Sequence, residues 1–283
     1  LPFQDNFQMT PILCFDLETI PDAAGLRQLE MFKPSMSDAE GVAAAQAARM
    51  ETHGNDFFPQ YLQRVWVVGC AFRDDDGFRV KCLGDSHGAS DDEEAARLRA
   101  FFKIIERYTP QLITWNGSGF DLPVLHHRAL IRGVPAPRYW DQGEDDRDFK
   151  YNNYLSRYHS RHTDLMDVVA GYQNRAFAPL DGLARLCGFA GKLGEDGSKV
   201  WQSYLDDRGE SVRAYCETDV VNTYLLWCRF RMIRGEWSQA QYQSELALVR
   251  DSLQAMVGDA SSPLKGDHWR HYLDAAPALT FAA

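Results

Sequence analysis

Asp16 and Glu18 lie two residues apart at the end of an apolar run, Pro11 to Thr19. In a strand, that spacing points both side chains to one face. Two carboxylates side by side on a buried face repel, and at least one is driven toward its protonated form unless a cation lies between them. Taken alone, the pair also fits two solvated acids just past the end of a strand. A third acid, Asp121, closes the segment Asn116-Gly117-Ser118-Gly119-Phe120-Asp121, between a short apolar run and a helical one. One reading makes it a helix cap. The other projects it over the edge of a sheet, where open α/β folds place their sites. Tyr215 and Asp219 are four residues apart and so share one face of a mostly apolar helix. An acid there needs a partner. Tyr215 could supply it, or Asp219 could turn to solvent.

Together these residues suggest one kind of chemistry. Four carboxylates and a phenol, in the order strand, strand-to-helix junction and helix, can hold two divalent cations about 4 Å apart, the arrangement used for in-line attack on phosphodiesters. A purely oxygen ligand set favours Mg²⁺ or Mn²⁺ over zinc.

The elements that must position these groups follow from the pattern. Pro11 to Thr19 reads as a buried strand with acids at its C-terminal end. Arg64 to Phe72 and Phe78 to Leu83 read as an antiparallel hairpin turned by Asp74-Asp75-Asp76-Gly77. Ser90-Asp91-Asp92-Glu93 is a capping box that opens a helix. Gln111 to Trp115 is a fourth strand, followed by a helix over Asp121 to Arg132. His162 to Val169 fits either strand or helix. Leu180 to Cys187 reads as a short helix and Arg208 to Arg234 as a long one, apolar almost all round at its middle and therefore buried.

Pro21 to Gln63 is far longer than the turn a compact fold would use there. It carries its own capping box, Ser37-Asp38-Ala39-Glu40, before an Ala-rich helix. Because it leaves the first strand directly after the first acids, it is expected to border the site and shape the entry of a strand. After Gly235 comes a helical tail, with Pro277 to Ala283 read as a loose end.

Bulk properties add bounds. The chain has 283 residues, a formal net charge of -10 and 45% apolar residues. The negative total argues against a basic nucleic-acid coat protein, yet it suits a nest of carboxylates. Six cysteines form no C-x-x-C pair, and several lie in apolar segments, which points to a reducing, cytoplasmic setting. No run is long and apolar enough for a membrane span, and the first residues lack the features of a signal peptide. Met9 is a candidate natural start, with Leu1 to Gln8 as an extraneous lead.

The three acid-bearing segments resemble the DEDD exonuclease superfamily, in the subgroup with a tyrosine in the third motif. Asp16-Leu17-Glu18-Thr19 matches the first motif, Asn116-Gly117-x-x-Phe120-Asp121 the second and Tyr215-x-x-x-Asp219 the third. The sequence is also similar to the predicted bacterial 3′→5′ exonucleases related to the exonuclease domain of family-B DNA polymerases. There the segments Phe120-Asp121-Leu122-Pro123, Asn153-Tyr154-x-x-Arg157-Tyr158 and His162-x-Asp164-Leu165-Met166-Asp167 look familiar. The likeness extends over about Ile12 to Ile233, leaving the tail after Gly235 outside it.

This resemblance implies an α/β fold with a ribonuclease-H-like, mixed five-stranded sheet flanked by helices, a long insertion after the first strand and a helical C-terminal extension. The expected division is residues 1–235 as the exonuclease domain and 236–283 as an extension packed on it. The implied activity is a two-metal-ion 3′→5′ exonuclease that releases nucleoside 5′-monophosphates, with DNA favoured over RNA. The alternative is a catalytically silent nucleic-acid-binding module. Asp16, Glu18 and Asp219 would bind one Mg²⁺; Asp16 would bridge to a second, with Asp121 helping. Tyr215 would orient the attacking water. Substrate contacts are expected from Thr19, from Asn116 to the sugar–phosphate, from Phe120 by stacking, and from Arg157, Lys192 and Lys199 to phosphates. Asn116 fits a turn cap and Phe120 a core position equally well. Asp164 and Asp167 are read as acids near the site rather than ligands, and His126 and His127 as helix residues. A polymerase or repair partner is possible in principle, and no polymerase motif follows in this chain.

Overall fold

The computed structural model describes residues 9–84, 88–193 and 197–280. The lead Leu1 to Gln8 and the last three residues of the expected loose end fall outside them.

The architecture is a mixed five-stranded sheet in the order β3-β2-β1-β4-β5, flanked by helices. The strands are β1 (Ile12–Pro21), β2 (Gln63–Asp74), β3 (Gly77–Cys82), β4 (Gln111–Thr114) and β5 (His162–Asp164). β1 runs antiparallel to β2 and parallel to β4, and β4 is parallel to β5. The β2–β3 hairpin turns where the Asp-rich segment predicts.

The helices, in chain order, are α1 (Ala23–Gln28), α2 (Asp38–His53), α3 (Asp91–Tyr108), α4 (Asp121–Arg132), α5 (Pro137–Trp140) and α6 (Leu165–Val169). They continue with α7 (Leu180–Leu186), α8 (Val200–Leu205), α9 (Gly209–Ile233), α10 (Gln239–Met256), α11 (Asp267–Asp274) and α12 (Pro277–Thr280). Both expected capping boxes form, at Ser37 and Ser90. The ambiguity over His162 to Val169 has a simple cause: the segment is a three-residue strand that turns at Asp164 directly into a helix.

The alternating side chains of β1 serve two different cores. Leu13, Phe15 and Leu17 pack with α3 and α4 on one side of the sheet. Ile12 and Cys14 face the other side, where α9, α7 and the tail close the core. Residues Ala214 to Cys228 of α9 are all buried, which accounts for the apolar run from Tyr224 to Cys228 and requires partners for Glu217, Asp219 and Asn222. Tyr242, Leu246, Val249, Trp269, Tyr272 and Leu279 of the tail join this second core. The expected loose end is therefore corrected for Pro277–Thr280. Leu279 is 1% exposed, and the Ala278 N–H donates to the Gly188 carbonyl at 2.9 Å.

The insertion makes a small core of its own around Leu26, Phe32, Val42, Phe58 and Leu62. It is tied to the main body by a buried charge network. Asp22, the N-cap of α1, accepts from Arg64 and Arg128, each at 2.7 Å. Arg128, fully buried in α4, also grips Glu94 of α3 with both arms at 2.7 Å. Glu94 in turn receives the Val65 N–H of β2 at 2.9 Å. Four elements are thus locked together just behind the acids.

Candidate active site

β1 carries Asp16 and Glu18 well inside the strand and continues to Pro21, so both acids lie on the face that α9 covers. The strand bulges directly after Glu18, and a bulge there re-aims the neighbouring side chains. Asp16 pairs with Gly69 on β2. A Cβ at Gly69 would lie 2.7 Å from the Cys216 sulfur and 3.1 Å from its carbonyl. Glycine is what lets α9 approach the sheet here. The approach brings the Cys216 thiol to 3.8 Å from Asp16 Oδ2 and sets Tyr215 and Asp219 over the same spot.

Asp121 arrives from the β4–α4 loop. It is the first residue of α4, whose N-cap position belongs to Phe120. Its carboxylate accepts the backbone N–H of Leu17 at 3.0 Å. The second acid segment is thereby tied to the peptide between Asp16 and Glu18. The loop itself is held by Asp164, which accepts from the N–H groups of Asn116 and Ser118, both at 2.9 Å. Asn116 adopts a positive φ of 65°, a conformation that Asn tolerates better than most residues.

Lys192 stands among the acids. Its ammonium touches the Tyr215 hydroxyl and lies 3.5 Å from Asp219 Oδ2. The other Asp219 oxygen, Oδ1, is buried with no hydrogen-bond partner among the described residues. One lysine thus faces Asp16, Glu18 and Asp219.

The electrostatics follow. Burial, then the charges of Asp121 and Asp219, hold the Asp16 carboxyl well above its ordinary range, while Lys192 pulls it down. Burial and Asp16 do the same to Glu18. Burial raises Asp121 to about 7 against the bond from Leu17. Burial raises Asp219 to about 6, opposed by Lys192 and by a hydrogen bond from Tyr215. The Tyr215 hydroxyl is pushed far up by burial and then by Asp219, Glu18 and Asp16. Burial works against the Lys192 charge, but Asp219, Asp16 and Glu18 outweigh it and raise its pKa.

These residues fit a cation. Ligand atoms of Asp16, Glu18 and Cys216 lie within 4.8 Å of one another. A buried, unpartnered carboxylate oxygen among clustered acids is a group that a hard cation would satisfy.

The cluster opens into a cleft of about 750 Å³, lined by Asp16, Asn116, Phe177, Lys192, Lys199 and Asp219 among others. The remaining sequence candidates do not line this cleft, and Arg157 lines a separate cavity with His126 and Asp167. Thr19 donates to Gln63 Oε1 at 3.1 Å. Phe120 packs partly into the core and stands 5.7 Å from the ring of Phe57, centroid to centroid. Phe57 comes from the insertion and is 55% exposed, and nearby Gln60 donates to the Gly119 carbonyl at 3.3 Å. The end of the insertion thus reaches the β4–α4 loop. Arg157 spends both its arms on Asp167 at 2.8 Å. His126 and His127 lie in α4, where His126 bonds Tyr139 at 2.8 Å.

The sequence alone does not single out Gly69, nor Cys216 as a neighbour of the acids, nor Asp181, which lines the same cleft. Gly69 leaves a signal, since a glycine inside an apolar strand marks a close approach.

Residues 55–276 match the family described as predicted 3′-5′ exonuclease related to the exonuclease domain of PolB. The chain belongs to that family. The match includes Asp121, Tyr215 and Asp219, begins after Asp16 and Glu18, and continues through most of the tail. The tail is therefore part of the family region, which corrects its expected place outside the resemblance. The chain is also 25% identical over 142 residues to the catalytic polypeptide of DNA polymerase epsilon from Emericella nidulans and to that from Aspergillus fumigatus. Each match covers 48% of this chain and 6% of the relative, so the chain spans only a small part of those proteins. No helix among the described residues is long and apolar enough to cross a membrane.

Proposed function

We propose that this family member is a divalent-cation-dependent 3′→5′ exonuclease. It would hydrolyse the terminal phosphodiester of a single-stranded 3′ end and release a nucleoside 5′-monophosphate, with DNA favoured over RNA. The observation that carries this reading is that four acids from three distant segments act on one another in one buried cluster, in which one Asp219 oxygen has no hydrogen-bond partner among the described residues.

Asp16, Glu18 and Asp219 would hold one Mg²⁺ or Mn²⁺, and Asp16 with Asp121 a second. Two such ions would acidify the attacking water and stabilise the leaving 3′ oxygen. Tyr215 keeps its proton at any physiological pH, because its environment opposes ionisation. It therefore serves to orient water by hydrogen bonding and is not the base. Lys192 brings a positive charge to where a scissile phosphate would lie, and Lys199 lines the same cleft. Phe120 and Phe57 offer aromatic surface to a terminal base, a contact tolerant of sequence. Thr19 and Asn116 flank the acids as candidate sugar–phosphate contacts. A phosphate contact from Arg157 would be made in addition to its pair with Asp167.

We take residues 1–235 as the nuclease domain and 236–283 as its extension; the core shared by α9, α10 and α11 supports the packing of the extension on that domain. Six free cysteines support a reducing, cytoplasmic setting. The alternative, a silent nucleic-acid-binding module, gives no reason to keep mutually repelling acids in one buried cluster. End-labelled single-stranded DNA and RNA oligonucleotides incubated with Mg²⁺, Mn²⁺ or EDTA test the proposal. Shortening from the 3′ end that EDTA abolishes is expected; binding without cleavage would favour the silent module.

A further inference from the structure

The loop that delivers Lys192 to the acids is held from behind. Asn222 lies on α9 one turn beyond Asp219 and is fully buried. Its amide grips the backbone of Gly191 at both ends. Asn222 Oδ1 accepts the Gly191 N–H at 3.3 Å, and Nδ2 donates to the Gly191 carbonyl at 3.0 Å. Gly191 has a φ of +67°, and a Cβ there would stand 2.5 Å from Asp181 Oδ1. That same oxygen accepts the Lys192 N–H at 2.7 Å.

The C-terminal extension completes the support. The hydroxyl of Tyr272, fully buried in α11, donates to Asn222 Oδ1 at 2.8 Å. The Gly191 N–H can only donate and its carbonyl can only accept, so they fix which end of the amide is oxygen, and the Tyr272 hydroxyl braces that oxygen from behind. A second tail contact, from the Ala278 N–H to the Gly188 carbonyl at 2.9 Å, anchors the start of the same loop.

We infer that Tyr272 and Asn222 are positioning residues of the active site, through which the C-terminal extension sets where Lys192 stands. Neither touches the acids' open side. Their influence passes along the chain from the tyrosine hydroxyl to the amide, to the Gly191 backbone and to the Lys192 ammonium between Tyr215 and Asp219. The inference rests on the proposed exonuclease reading for its effect on rate, but not for the loop geometry.

Tyr272→Phe removes one oxygen and keeps the ring, so the fold is expected to survive. On single-stranded DNA with Mg²⁺, kcat should fall about five- to tenfold with KM nearly unchanged, the scale of one lost neutral hydrogen bond. A double-mutant cycle with Lys192→Met separates positioning from general loosening. In the Lys192→Met background, Tyr272→Phe should cost nothing further in kcat. An equal fold-loss in both backgrounds would overturn the inference. Amide hydrogen exchange supplies a readout free of activity. The Gly191 and Lys192 amides should exchange faster in Tyr272→Phe, well below its unfolding temperature, and unchanged protection would overturn the inference. If the wild-type chain cleaves nothing, the exonuclease reading fails while the exchange measurement still decides the loop's support. Should Tyr272→Phe unfold, Ala278→Pro, in the first turn of α12 where proline is tolerated, removes the second tail bond and should raise exchange in the same loop.

Discussion

The carboxylate of Asp121 accepts the backbone N–H of Leu17 at 3.0 Å, joining residues 104 positions apart. The bond holds the start of α4 against the peptide that separates Asp16 from Glu18. Asp16 and Glu18 share one strand and the Asp121 carboxylate is bonded to that strand's backbone, so three of the four acids are fixed relative to one another, and only Asp219 depends on how α9 docks.

That docking rests on Gly69. Gly69→Ala would force the Cys216 sulfur and the Cys216 backbone away from β2. The expected loss is about 1–3 kcal/mol of stability, the usual cost of overpacking, with a larger loss of nuclease activity because Tyr215 and Asp219 move with the helix. Denaturant unfolding alongside the oligonucleotide assay checks both parts. Unaltered activity would mean that the helix does not set the site.

The raised carboxyls predict an unusual pH response. Asp121 near 7 and Asp219 near 6 bind protons in the folded chain that an unfolded chain has already lost. Folded-state pKa values above the unfolded ones make these groups a cost that grows as pH rises from about 4 to 7. Without divalent ions the Tm contribution should fall across that window. Mg²⁺ or Mn²⁺ should raise Tm at pH 8 and do little at pH 5, where protons occupy the same oxygens. Asp121→Asn should flatten the metal-free trend, which thermal scans at four pH values would show.

The buried charge network behind the site is a separate test of the scaffold. Arg128→Met would remove the partner that Asp22 and Glu94 share, leaving Asp22 with Arg64 and Glu94 with Arg132. Breaking one side of a buried pair costs about 3–5 kcal/mol, so the variant should unfold at markedly lower urea. A change below about 1 kcal/mol would show that Arg64 and Arg132 suffice to hold the two acids.

Phe57 tests the insertion. It is exposed and its ring meets that of Phe120, so Phe57→Ala should shift stability by less than about 0.5 kcal/mol. If the pair faces a terminal base, KM for single-stranded DNA should rise severalfold while kcat holds, on the scale of a stacking contact of about 1 kcal/mol. An unchanged KM would detach the insertion from strand entry.

The acids, Tyr215 and most elements were legible because each is announced locally: an apolar run, a capping box, a four-residue spacing. His162 to Val169 resists assignment because the strand is only three residues long and runs straight into a helix. What the sequence hides are contacts between distant positions. Asp22 and Arg128 are 106 residues apart, and each alone reads as a solvated charge. Asn222 reads as one more helix residue until Gly191 and Tyr272 meet it. The end of the tail reads as loose because Pro277 to Ala283 carries few large side chains, yet Leu279 finds a place in the α9 core.

The most direct measurement is cleavage of a 5′-labelled single-stranded DNA by the wild-type chain and by Asp219→Ala in Mg²⁺. The account predicts a ladder shortening one nucleotide at a time from the 3′ end, abolished by EDTA, and a loss on the order of a thousandfold in the variant, as several kcal/mol of cation stabilisation disappear. Cleavage that survives EDTA or Asp219→Ala, or cuts within a circular single strand, would contradict it.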